Sequence, residues 1–221
     1  MKTPVASHTF LDAYERCPKQ AYHRYVAKDQ PFEETEALKW GNDVHKAMEM
    51  RVGKKEPLPK EMAYMEPFAA PFDAYQHIAV EKKLGIDAFG VGCGFFDKQV
   101  WMRGKADVVV TVDIVNAHAV IADWKTGKRR EDPRELEEHA VMLKASWPYV
   151  KTITGFYVWL KDAEMGLVHD LSDTEKTLAR IRGTMARVEQ TIKAGIEWPA
   201  RDNPLCGWCS VKTCHYNPRR D

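Results

Sequence analysis

The stretch that most constrains this chain is Ala119-Val120-Ile121-Ala122-Asp123-Trp124-Lys125-Thr126-Gly127-Lys128. It is a short apolar run that delivers an acid and a lysine two residues apart and then stops at glycine. Residues i and i+2 of a strand point to the same face. Asp123 and Lys125 are therefore expected to project side by side from the end of a buried strand. The first is a hard oxygen ligand for a divalent cation, and the second is a positive charge that can carry a proton.

On its own, an Asp-x-Lys tripeptide describes a salt-bridged surface turn. Its company changes the reading. Sixteen positions upstream of Asp123, the segment Arg103-Gly104-Lys105-Ala106-Asp107 opens another strand-like run, Val108-Val109-Val110-Thr111-Val112. Further back, Gly41-Asn42-Asp43-Val44-His45 sits in a helical pattern. Two strands and a helix could bring Asp107, Asp123 and His45 around one ion. Such a site suits cleavage of a phosphodiester, where a metal activates water and positive charge offsets the charge of the transition state.

At 221 residues the chain fits one domain. We expect a helical N-terminal part over 1–75, a core over 76–195 and a cysteine-rich segment over 196–221. With 44% hydrophobic and 29% charged residues it should fold around an ordinary core. A net charge of +1 neither demands nor excludes nucleic acid, because a basic groove can coexist with an acidic metal site. No apolar run approaches the length of a membrane span, and Met1 to Ser7 lacks the apolar region of a signal peptide. The expected setting is a reducing cytoplasm, in a bacterial, archaeal or phage-infected cell. There, the five cysteines read better as metal ligands than as disulfides.

Taken in order, residues 7 to 28 read as helical, capped by Ser7 or Thr9, with Pro18 dividing the run into two short helices near Cys17. Residues 33 to 52 form the next helix, with Ala37, Trp40, Val44, Ala47 and Met48 at helical spacing and His45 beside that apolar face. Met62, Met65, Phe68 and Phe72 suggest a short helix in a proline-rich stretch. Ile78 to Ile86 reads as a strand carrying Glu81. Phe89 to Phe96 reads as a glycine-rich bend in which Cys93 is a small buried hydrophobe. A turn near Val115-Asn116 should precede the Asp123 strand. Lys128, Arg129 and Arg130 then occupy a turn placed to hold a phosphate backbone, although a solvated loop explains them equally. A helix over 133 to 147, a strand over Lys151 to Leu160 and another over Gly166 to Leu171 follow. Ser172-Asp173-Thr174-Glu175 makes a capping box for a final helix containing Leu178, Ile181, Met185, Val188 and Ile192. The tail carries Cys206, Cys209 and Cys214 without periodicity, which points to a metal staple. Cys17 is the natural fourth ligand. An iron–sulfur cluster wants four thiolates, whereas zinc would accept His215 in place of Cys17.

These residues, in this order, resemble the RecB-like branch of the PD-(D/E)XK nucleases. The resemblance runs from the helix ending in Cys17-Pro18, through Gly41-xxx-His45, Glu81, Gly104-Lys105-Ala106-Asp107 and Asp123-Trp124-Lys125-Thr126-Gly127, to Cys206-x2-Cys209-x4-Cys214. The stand-alone size is most similar to CRISPR-associated or phage-encoded exonucleases with an iron–sulfur cluster. The resemblance implies an α/β fold: a restriction-endonuclease-like core with a central mixed sheet flanked by helices and a cysteine-bound C-terminal segment. It implies that His45, Asp107, Asp123 and the Trp124 carbonyl hold Mg²⁺ or Mn²⁺. Lys125 would orient or deprotonate the attacking water. Cys17, Cys206, Cys209 and Cys214 would hold a structural 4Fe-4S cluster, and Glu81 would be a supporting or DNA-side group. The chain departs from the branch where a Gln-xxx-Tyr motif is usual, since Glu135 and His139 stand there. The expected activity is metal-dependent exonucleolytic hydrolysis of DNA from single- or double-stranded ends, in recombination, repair or phage DNA processing. Two rivals are a DNA-end-binding module of the same fold and a zinc-stapled adaptor. No membrane partner is expected, and nothing in the sequence reports a subunit interface.

Overall fold

The computed structural model describes residues 2–30, 34–113 and 117–219. The chain forms two compact units, one of Glu34–Leu178 and one joining Met1–Glu33 to Ala179–Asp221.

The larger unit is built on a mixed sheet flanked by helices. Strands β1 (Ile78–Ile86), β2 (Met102–Asp113), β3 (His118–Lys125), β4 (Thr152–Trp159) and β5 (Glu164–Met165) lie in that order, and β6 (His169–Asp170) pairs with β4. The first three strands pair antiparallel, whereas β3 and β4 run parallel. A parallel pair needs a crossover connection. The helix over Arg134–Ser146 lies within it.

Before β1, Thr35 caps a long helix, Glu36–Lys54, by accepting a hydrogen bond from the Leu38 amide at 3.2 Å. Its apolar stripe of Val44, Met48 and Val52 is buried against Val108, Val110, Ala122, Trp124 and Val158 of the sheet. The expected short helix between them is instead three consecutive turns, a 3₁₀ turn over Lys60–Met65, an α-helical turn over Glu66–Ala69 and a 3₁₀ turn over Ala70–Ala74. Two prolines, Pro67 and Pro71, recur too closely for one continuous helix. Phe72 meets the buried Trp124 ring edge-on at 5.7 Å.

One irregularity organises β1 and β2. Val80 opposes Val108, and both join the core beneath the Glu36–Lys54 helix. Leu84 opposes Gly104, whose missing Cβ would lie 2.7 Å from Met142 and 3.0 Å from the His139 ring of the crossover helix. Opposed residues of an antiparallel pair share a face. Even-numbered side chains therefore change neighbours between these two pairs. Glu81, in that interval, has a φ of 50°, in the left-handed region that a residue with a Cβ rarely adopts.

In the smaller unit, α1 (His8–Arg16) starts at Ser7 and ends at Cys17, and α2 (Pro18–Ala21) begins on Pro18, as the sequence suggests. A π-helical turn, Tyr22–Ala27, follows. In chain order the remaining helices are α3 (Glu36–Lys54), α4 (Glu66–Ala69), α5 (Arg134–Ser146) and α6 (Thr174–Ala194). Phe10 packs edge-on against Tyr25, and Trp198 packs against Tyr14 and Tyr22.

Several local expectations are corrected. The cap of α6 is Asp173, which accepts from the Lys176 amide at 3.4 Å. Ser172 is engaged elsewhere, because its hydroxyl accepts from the Ile153 amide on β4 at 3.1 Å. The strand expected over Gly166 to Leu171 pairs only at His169 and Asp170. Cys93 is half-buried rather than buried. The turn expected at Val115-Asn116 lies outside the described residues. Among the described residues no helix is long and apolar enough to cross a membrane.

Candidate active site and cysteine cluster

Three elements of the larger unit converge on one group of donors. His45 comes from α3, Glu81 from the irregular turn of β1 and Asp107 from β2. One ligand atom from each lies within 4.8 Å of the others. Among the described residues this is the one group of three or more histidine, cysteine or acidic side chains so closely gathered. His45 Nδ1 is 3.2 Å from Asp107 Oδ1, and the Trp124 amide donates to Asp107 Oδ2 at 2.8 Å. Both Asp107 oxygens are thus oriented before any ligand arrives. Lys105 pairs with Glu81. Burial pulls the His45 pKa down, but the hydrogen bond and charge of Asp107 outweigh it and the net shift is upward.

Asp123 and Lys125 stand beside each other on β3, as the two-residue period requires. Lys125 Nζ is 2.6 Å from Asp123 Oδ2 and also 2.6 Å from Glu135 Oε2 on α5. Asp123 is buried, and that burial pushes its carboxyl up to about 8 against the pull of Lys125. Burial would lower the Lys125 pKa, but two adjacent carboxylates raise it further than burial lowers it. The lysine therefore holds its proton. Asp123 does not lie in the His45–Glu81–Asp107 group, whereas Glu81, read from sequence only as a supporting acid, does.

The residues standing in for Gln-xxx-Tyr are both at the site. Glu135 holds Lys125. His139 is buried against Gly104, with its Nδ1 lacking a hydrogen-bond partner, and burial keeps its pKa low. Gly104 thus has a steric reason, since α5 comes too close for a side chain there. Gly41 is similar, because a Cβ would come 3.2 Å from Thr126 Oγ1. Of the basic turn, Arg129 pairs with Glu131 and Glu164, and Arg130 pairs with Asp132, while Lys128 is exposed. Sequence reading missed Tyr157. Its ring centroid lies 5.1 Å from Lys125 Nζ, and its hydroxyl donates to the Asp132 carbonyl at 2.8 Å. The signal was the β3–β4 register, which sets Tyr157 opposite Asp123 and is not written in either strand alone.

In the smaller unit, Cys17, Cys206, Cys209 and Cys214 line one pocket, although Cys17 is far from the others in sequence. The Arg201 amide points to Cys17 Sγ at 3.5 Å. The Cys209 pKa is raised by burial and then by the charges of Cys17, Cys214 and Cys206. Deprotonating one of these thiols is therefore opposed by its neighbours.

Against known proteins, a family model described as the PD-(D/E)XK nuclease superfamily matches residues 5–214. No curated protein matches the chain. Among solved structures, the crystal structure of SSO0001 is similar over 98% of this chain and 88% of that one, at 12% identity and a TM-score of 0.43.

Proposed function

This chain belongs to the PD-(D/E)XK nuclease superfamily, and we propose that within it the protein is a metal-dependent deoxyribonuclease that shortens DNA from its ends. The observation that carries the reading is the gathering of His45, Glu81 and Asp107 next to the buried Asp123–Lys125 pair. An imidazole and two carboxylates, one of them already oriented through both oxygens, fit Mg²⁺ or Mn²⁺. His45, Glu81 and Asp107 would hold the ion, and Asp123 and the Trp124 carbonyl are the further ligands we assign. A bound divalent cation supplies a polarised phosphoryl oxygen and a water acidic enough to attack near neutral pH. Lys125, kept protonated, places its charge beside the phosphate and offsets the negative charge that builds there. Beside the ion, Lys125 would also orient the attacking water.

The test is digestion of end-labelled linear DNA beside a closed circle, with Mn²⁺ or Mg²⁺. We expect linear DNA alone to shorten. Lys125→Ala should lose roughly 10²–10³-fold in rate, the scale set by removing one charge-stabilising donor. Full activity in that variant would overturn the assignment. The same digestion gives polarity and strand preference.

A DNA-end-binding role without cutting has one observation in its favour, the Glu135 carboxylate that occupies Lys125. It predicts binding of ends with no hydrolysis of any substrate.

For the cysteines we propose a 4Fe-4S cluster. The pocket lining holds four cysteines and no histidine or acid, the all-thiolate set that an iron–sulfur cluster takes. Iron and sulfide content, with absorbance near ~400 nm, tests this against zinc.

A further inference from the structure

We propose that the cleft between Trp40 and Tyr64 is a base-stacking subsite that takes one unpaired nucleotide beside the catalytic strand. It rests on the nuclease reading for its location but not for its chemistry. The cleft is lined by Trp40, Tyr64, Met65, Thr126, Leu160 and Lys161, all in the larger unit, and has a volume of about 320 Å³. Ligand sites run from ~300 to 1,000 Å³, so a single nucleotide fits.

Its parts match that ligand. Met65 and Leu160 are buried and form an apolar floor, whereas Trp40 is 39% and Tyr64 49% exposed. Two large aromatic rings left half in water around one cleft are the platform on which bases stack, whatever their sequence. Lys161, exposed at the rim, and the Thr126 hydroxyl supply a cation and a donor for a phosphate.

The cleft also adjoins the proposed chemistry. Thr126 directly follows Lys125, and the Leu160 amide donates to the Lys125 carbonyl at 2.9 Å. Trp40 lies five residues before His45 on α3, about 7.5 Å along the helix axis. Gly41 keeps α3 close to Thr126, which brings the Trp40 side of the helix to the end of β3. A base inside a duplex is stacked and paired, and so cannot enter. The subsite therefore selects a single strand or a frayed end.

The experiment is anisotropy binding of labelled single-stranded oligonucleotides in Ca²⁺, comparing base-bearing strands with abasic strands of equal length and charge. Stacking of one base is worth ~1–3 kcal/mol, or about 5- to 150-fold in affinity. The wild-type protein should prefer the base-bearing strand by a factor in that range. Trp40→Ala and Tyr64→Ala should remove most of the preference while binding the abasic strand as wild type does. Trp40→Phe should retain it, which a merely structural role for Trp40 would not predict. Equal affinity for both strands in the wild type, or an undiminished preference in both alanine variants, would overturn the subsite. Base preference without cleavage of any substrate would overturn the nuclease reading alone. Cleavage without base preference would overturn the subsite alone.

Discussion

At the scale of single residues, Glu81 stores strain where the cation is expected. A non-glycine residue in the left-handed region costs about 1–3 kcal/mol and persists where surrounding structure enforces it. Glycine pays little for that conformation. We expect Glu81→Gly to be more stable than Glu81→Gln, by up to ~1 kcal/mol in urea unfolding. Both variants should bind Mn²⁺ at least about tenfold more weakly in calorimetry. Equal stability of the two would remove the strain argument, and unchanged Mn²⁺ affinity would remove Glu81 from the ligand set. Glu135 makes the opposite case. Its carboxylate sits 2.6 Å from the Lys125 ammonium group and would repel an arriving phosphate. Glu135→Gln keeps the shape and removes the charge. Cleavage should rise by up to roughly tenfold, the rate equivalent of about 1.4 kcal/mol. A fall in rate in labelled-DNA digestion would show that the enzyme depends on the acid.

At the scale of elements, α3 is tied to the short turns beneath the sheet by Arg51. Its guanidinium is buried and donates to Glu66 and to Asp73, with Arg51 Nε 2.9 Å from Glu66 Oε1 and Nη2 2.8 Å from Asp73 Oδ2. Arg51 and Lys55 hold the Asp73 carboxyl well below the usual carboxylate range. The sign follows. A carboxylate with a lowered folded-state pKa stabilises the fold above its unfolded pKa, near ~3.9, and loses that contribution as pH falls through the folded value. The difference in urea midpoint between wild type and Arg51→Met should be largest near neutral pH and vanish in strong acid. A gap independent of pH would assign the effect to packing. The elements themselves were largely legible. Short apolar, β-branched or aromatic runs mark β1 to β4, and Pro18 divides α1 from α2. The candidate site was legible as a set of residue types, since His45, Asp107, Asp123, Lys125 and Glu81 were all singled out. Their grouping was not. Glu81 reaches that group from a left-handed backbone position in β1, which the sequence of the strand does not announce. Tyr157 and the Trp40–Tyr64 cleft depend on strand register and helix approach, which are three-dimensional facts with no local sequence signature.

At the scale of the whole chain, the smaller unit draws on both ends of the sequence, residues up to 33 and residues from 179 onward. Closing so long a loop is entropically unfavourable, and a link between the ends removes that cost from the unfolded state. Polar contacts such as the Lys19–Glu197 ion pair join the two segments, and two larger links stand beside them. One is aromatic, with Trp198 against Tyr14 and Tyr22. The other is the cysteine pocket, where Cys17 at the α1–α2 junction meets three cysteines of the tail. Apart from the Cys206–Trp208 turn the described tail lacks regular structure; Trp208 is 76% exposed, and its small core is Val211 with Asn217, whose amide donates to the Cys209 and Val211 carbonyls. A segment with so small a core depends on its ligand, since the binding energy of a metal group there is also folding energy. Cys17→Ser should therefore lower iron content, lower the melting temperature and speed tryptic cleavage after Arg16 and Lys19, while Cys93→Ser does none of these. Both variants remove a thiol, so the contrast isolates the cluster from a general effect of cysteine loss. Iron content and melting unchanged in Cys17→Ser would leave the aromatic and polar contacts to join the two segments and return the tail cysteines to a three-thiolate site completed by another donor.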